Sequence, residues 1–130
     1  MKHIKLIAAA ALVLAAAPAF AADWVYNATT PNGAVIYYDS DTILRSRNKV
    51  TVWERYDFTS DKTTKKSETR ARYQYDCAER TSTLLQLSNY YPDGKNESFI
   101  WNTSEQEERG VIPDSFSEKM LEAVCAATAR

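Results

Sequence analysis

Residues 68–77 read Glu68-Thr69-Arg70-Ala71-Arg72-Tyr73-Gln74-Tyr75-Asp76-Cys77. Ala71, Tyr73, Tyr75 and Cys77 share one parity, and Arg70, Arg72, Gln74 and Asp76 share the other. Side chains of a strand alternate between two faces, so the stretch is a β-strand with one apolar face and one polar face. It ends on a cysteine placed on the apolar side. The only other cysteine, Cys125, lies in a segment of a different period. Ser115-Phe116-Ser117-Glu118 follows Pro113 and fits a capping box, the start signal of a helix. Phe116, Met120 and Val124, with Leu121 and Cys125, then recur at three- and four-residue spacing and make one apolar stripe. A bond between Cys77 and Cys125 would staple that helix to the sheet.

Other segments add strands to the first. Trp24-Val25-Tyr26 reads as a short aromatic strand, Pro31-Asn32-Gly33 as a turn, and Ala34 to Tyr38 as a strand of β-branched and aromatic residues. Asp39-Ser40-Asp41 has the side chains of a turn. From Val50 to Phe58, Val50, Val52, Tyr56 and Phe58 fall on one face, and Thr51, Arg55 and Asp57 on the other. Trp53 and Glu54 sit on the wrong faces for that scheme, which suggests a bulge or a two-sided strand. Ser60 to Lys66 is a polar hairpin loop. Thr81 to Tyr91 is a further strand with Leu85 and Leu87 inward, Pro92-Asp93-Gly94 a turn, and Ser98 to Asn102 the last strand. Ser104 to Gly110 is charged and loop-like. The sum is an α+β domain, an antiparallel β-sheet of about five to six strands with a C-terminal helix packed on one face.

The chain has 130 residues, 45% hydrophobic and 25% charged, with a formal net charge of −1. Its first 21 residues read as a signal peptide. Lys2, His3 and Lys5 make a positive start, Ile4 to Ala17 is apolar apart from Lys5, and Pro18 precedes the small-residue site Ala19-Phe20-Ala21. Cleavage after Ala21, or one residue later, leaves a single domain over 22–130. The 16 Lys and Arg then lose Lys2 and Lys5, so 14 stand against 17 Asp and Glu, a net charge of −3. The one His departs with the leader. The destination is the periplasm, with the cell surface or secretion beyond it. No cysteine follows the apolar stretch, so there is no site for a lipid anchor. In an oxidising compartment the simplest fate of two cysteines is one disulfide. The loop it would close, about 49 residues, makes it worth roughly 4 kcal/mol in the chain-entropy treatment.

Three pieces together resemble the surface-adhesin protein E family: Tyr37-Tyr38-Asp39-Ser40-Asp41-Thr42-Ile43, Tyr75-Asp76-Cys77, and a final helix that ends in Val124-Cys125-Ala126. The resemblance runs from about Trp24 to Cys125. It implies a small antiparallel sheet packed against a C-terminal helix, one disulfide, and no known catalysis. It also implies a protein partner, since the member that names the family attaches to host extracellular-matrix and serum proteins. This chain lacks that member's lipobox cysteine.

The residue inventory excludes much chemistry independently of that resemblance. Without His, the mature chain has no Ser-His-Asp or Cys-His arrangement and no imidazole metal site. Gly33, Gly94 and Gly110 are scattered singly, so no loop cradles a phosphate. Nucleic acid is not an expected partner of so acidic a chain. No catalytic residue, cofactor or metal is assigned. Carboxylate-pair chemistry would have to use Asp39, Asp41, Glu105, Glu107 or Glu108, which read as turn formers and a solvated loop. Asp39-Ser40-Asp41 lacks the later ligands of a calcium loop.

Two features point to binding. Lys62, Lys65, Lys66, Arg70 and Arg72 form a local basic patch on an acidic protein, suited to an acidic partner. The mature chain is also rich in Trp and Tyr, the residues that enrich interfaces; Trp53, Tyr90 and Trp101 are the ones that strand alternation does not bury. The reading is an exported, non-enzymatic binding protein. The alternative is a periplasmic inhibitor module of the lysozyme-inhibitor type. A homodimer through an exposed strand edge is compatible with either.

Overall fold

A computed structural model describes residues 22–127, so the signal peptide expected over Met1–Ala21 lies outside the described residues. The opening stretch forms strand β5, Glu68–Asp76. It is the centre of an antiparallel sheet whose strands are β1 (Trp24–Thr29), β2 (Val35–Asp39), β3 (Leu44–Ser46), β4 (Lys49–Asp57), β5, β6 (Thr81–Tyr90), β7 (Asn96–Ile100) and β8 (Glu108–Gly110). The spatial order is β1-β2-β4-β5-β6-β7, with β3 beside β4 and β8 beside β6. Helix α1 spans Phe116–Ala126.

The class is the one expected, but the described residues form eight strands rather than about five to six. The two additions have three residues each, too few to show alternation. Leu44–Ser46 turns back on β4 through Arg47, whose φ is 55°. Glu108–Gly110 lies in the charged stretch expected to be a loop, and pairs by backbone with Thr81–Thr83.

β4 corrects a second expectation. It pairs with β2 and β5 without a register shift, so it carries no bulge. Val50, Val52, Glu54 and Tyr56 follow one parity, and Glu54 is buried. The alternation is regular; its inner face includes a carboxylate, and Trp53 belongs to the outer face. The shifts occur instead at Asn27 in β1 and at Leu85 in β6. As a result Leu84 and Leu87 stand opposite Tyr73 and Ala71, and Leu85 is the extra residue with no partner on β5.

The core is the inner face under the helix. Ala28, Ile36, Ile43, Val50, Val52 and Tyr75 pack with Met120, Leu121 and Val124 of α1. Each of these three helix side chains is fully buried, a contribution of roughly 1.5–3 kcal/mol apiece. Phe116, counted in the same stripe, is instead 43% exposed at the first turn. Ser115 caps the helix, its Oγ accepting from Glu118 N at 3.2 Å, while Glu118 reaches back to Asp114 N rather than to the cap residue. At the other end Arg45 of β3 donates to the carbonyl of Cys125, placing a cation where the helix dipole is negative. The Cys77–Cys125 disulfide, with Cα atoms 5.9 Å apart, ties that last turn to the end of β5. Arg80 pairs with Glu118 at 3.0 Å on the same side.

Candidate functional site

With α1 on the inner face, the alternate residues of β1, β2, β4, β5 and β6 form an open outer face. Register alone brings Tyr26 beside Tyr37, Tyr37 beside Arg55, Arg55 beside Arg70, and Trp53 beside Arg72. Two arginines directly opposite would repel. Glu68 resolves this by accepting from the Nε atoms of both Arg55 and Arg70. The guanidinium of Arg55 stands 5.4 Å from the Tyr37 ring centre. Arg70 lies between two rings, 5.8 Å from Trp24 and 5.7 Å from Tyr90. Trp24 reaches it although β2 and β4 lie between their strands, as a long side chain on a twisted sheet permits. Tyr26 and Tyr37 meet edge to face at 6.3 Å. The result is a ladder of rings and guanidinium groups, each half-buried or exposed.

The structure divides the basic patch that the sequence grouped. Arg70 and Arg72 stand on the open face. Lys62 and Lys65 are exposed on the loop between β4 and β5. Lys62 Nζ donates to the carbonyl of Thr59 at 3.0 Å. Lys66 is half-buried and faces Glu97, whose carboxyl is held below its usual range by hydrogen bonds from Tyr91 and Asn89 and by that charge. The loop itself is set by a repeated Asp-x-Thr device. Asp57 Oδ1 accepts from Thr59 N and Oγ1, and Asp61 Oδ1 accepts from Thr63 N and Oγ1. These bonds hold both carboxyls below the usual range.

Of the aromatics left unplaced, Trp53 and Tyr90 belong to the open face. Trp101 lies beyond β7 and stacks on Phe99 at 6.1 Å. Phe99 and Ile100 remain exposed along the β7 edge.

Most of the carboxylates weighed for catalysis are engaged in local bonds. Asp39 caps the short helical turn Ser40–Thr42 by accepting from Asp41 N, and also accepts from Asp23 N. Glu108 accepts from Thr81 Oγ1 at 2.6 Å, and Glu107 pairs with Arg109 at 2.8 Å. Glu105 and Glu107 line an open pocket of about 450 Å³ that also includes Tyr73, Trp101 and Arg109. Among the described residues no three His, Cys, Asp or Glu side chains gather to hold a metal ion.

Glu54 is the group that reading by residue type missed. It is 1% exposed, on the inner face of β4. Tyr56 and Tyr75 each donate a hydroxyl to it, one to each oxygen. Burial raises its pKa from 4.5 to about 7, a rise that the two hydroxyl bonds oppose. Burial also pushes Tyr56 and Tyr75 well up, and the neighbouring Glu54 charge pushes them further. The signal for Glu54 in the sequence is its parity with Val50 and Val52.

Residues 24–126, which form this sheet and helix, match the family described as surface-adhesin protein E. The chain belongs to the surface-adhesin protein E family. No match was found among curated proteins. Among the solved structures it resembles are several of Haemophilus influenzae protein E. One, in crystal form II, superposes with a TM-score of 0.55 at 14% identity, covering 79% of this chain and 87% of that one. A second has a TM-score of 0.55 at 15% identity, over 79% and 83%. A third, from a non-typeable strain, has 0.51 at 16% identity, over 85% and 81%. At these identities the likeness is one of fold. In this member of the surface-adhesin protein E family, the Tyr37–Ile43 segment forms the end of β2 and its capped turn, and both cysteines lie at the helix–sheet staple.

Proposed function

We propose that this chain is an exported, non-enzymatic binding protein that engages a host matrix or serum protein with the open face of its sheet and the loop of Lys62, Lys65 and Lys66. One observation carries the reading. The face opposite the helix holds Arg70 between Trp24 and Tyr90, with Arg55, Arg72 and Trp53 beside it. Tyr, Trp and Arg are the residues that dominate binding energy at protein interfaces. Packed rings hold the guanidinium groups in place before contact, so little side-chain freedom is left to lose. The leader of Met1–Ala21 supplies export, and the membership in a surface-adhesin family fits that destination.

A panel of purified matrix and serum proteins, immobilised and probed with the oxidised mature chain, tests this. The double variant R70E/R72E is expected to weaken the strongest interaction at least about tenfold, as loss of a central arginine contact does. The triple variant K62A/K65A/K66A is expected to slow association and reduce its salt dependence. Unchanged binding by both variants would refute the surface. A homodimer, where one forms, would pair along β7, whose five residues are all exposed. Ile100→Lys should then return the protein to a monomer in sedimentation velocity.

A further inference from the structure

On the inner side of the sheet, the β1–β2 turn, the β4–β5 loop and the first turn of α1 surround a pocket of about 340 Å³. It is separate from the open face. We infer that it is a binding site for an organic ammonium ion, with Glu54 as the counter-charge and the surrounding rings as its walls. The charge of the lining carries the argument. Glu54 and Asp61 are both acidic, and none of the described residues lining the pocket is Lys or Arg. Phe58, Tyr73 and Phe116 are among the lining rings, and a ring face attracts a cation where water is excluded.

The first turn of α1 contributes positive character, but only about half a charge at a helix N-terminus, and here it is already met by the Ser115 cap and Glu118. Two carboxylates outweigh it. Glu54 retains acceptor capacity, because each oxygen takes one hydroxyl donor and a carboxylate oxygen can take two. Tyr38 stands beside it on β2, Tyr56 on its own strand and Tyr75 on β5 reach it with their hydroxyls, and Tyr73 on β5 lies within reach of its charge. Asp61 is the loop's contribution, and no charged side chain of α1 lines the pocket. A buried carboxylate with hydroxyl partners and no cation bears the cost of its ionisation alone; an ammonium guest supplies the missing charge.

The linkage gives a signature. Burial places the Glu54 pKa at about 7 in the empty protein. A cation binds the ionised form, so binding releases a proton below that pKa. Affinity should be full above pH 8 and about tenfold weaker at pH 6.

The probe is benzylammonium, with benzyl alcohol as its neutral counterpart, titrated into the full mature protein by calorimetry and amide NMR. Binding of the amine is expected, with shifts at Phe58, Tyr73 and Ser117, the tenfold pH effect, and binding of the alcohol at least tenfold weaker. Glu54→Gln should weaken the amine at pH 8 and abolish the pH effect. Ser117→Trp fills the mouth from an exposed helix position and should block the amine while leaving the fold intact. The inference is overturned if the amine fails to bind, if the alcohol binds equally well, or if Ser117→Trp leaves amine binding unchanged.

Discussion

Glu54→Gln should make this protein more stable in mild base and leave it almost unchanged in acid. Glu54 is buried, and its pKa lies at about 7 in the folded chain against 4.5 for an ordinary glutamate. A rise of that size corresponds to about 3 kcal/mol. The sign follows from proton counting. Between pH 4.5 and 7 the folded protein holds a proton on Glu54 that the unfolded chain has released. Stability therefore falls as pH rises through that window, and above it the full penalty of a buried anion is present. A glutamine at this position would keep the shape and one acceptor for a tyrosine hydroxyl, while its amide NH2 can donate to the other. It carries no charge to desolvate. Urea unfolding of both proteins at several pH values from 4.5 to 8.5 gives the comparison directly, because other carboxylates titrate identically in the two. The variant is expected to gain about 3 kcal/mol over the parent across this range. A stability difference that stays flat with pH would refute the reasoning, since it would mean that Glu54 is ionised in both states or reaches water.

Two further perturbations test the staple and the turn that frame the inner face. Replacing Cys77 and Cys125 by Ser should lower the unfolding free energy by about 4 kcal/mol, read from the urea midpoint at unchanged pH. Gly33→Ala should cost more than about 1 kcal/mol, or roughly 4–8 °C in Tm, measured by circular dichroism. Gly33 sits at φ +94°, and a Cβ there would stand 3.0 Å from the Ser60 carbonyl oxygen.

The strong periodicities are legible in the sequence. Glu68–Asp76 alternates because one side packs under a helix and the other faces out, and Met120, Leu121 and Val124 mark the helix side that closes on it. Cys77 and Cys125 sit at the ends of those two patterns, so the staple is legible with them. The short strands Leu44–Ser46 and Glu108–Gly110 are not, because they are held by backbone bonding that side-chain identity does not report. Simple alternation misses that Leu84 stands opposite Tyr73, because a bulge at Leu85 shifts parity without leaving a mark in composition. Glu54 reads as a break in the pattern because it is a carboxylate at a core parity; only the hydroxyls of Tyr56 and Tyr75, brought in by folding, make the position tenable. The basic cluster can be found by type, but its division into Arg70 among rings and lysines on a loop depends on Trp24, distant in sequence and across the sheet.

The three tryptophans allow the binding surface to be located in one experiment. Trp24 and Trp53 stand on the open face, while Trp101 lines the pocket of Glu105, Glu107 and Arg109 on the opposite side. Their indole N–H signals should be followed by 15N NMR while the tightest binder from the panel of matrix and serum proteins is added to the oxidised protein of residues 22–130. Trp24 and Trp53 should shift or broaden while Trp101 stays in place. Perturbation of Trp101 with Trp24 and Trp53 unmoved would contradict binding by the open face.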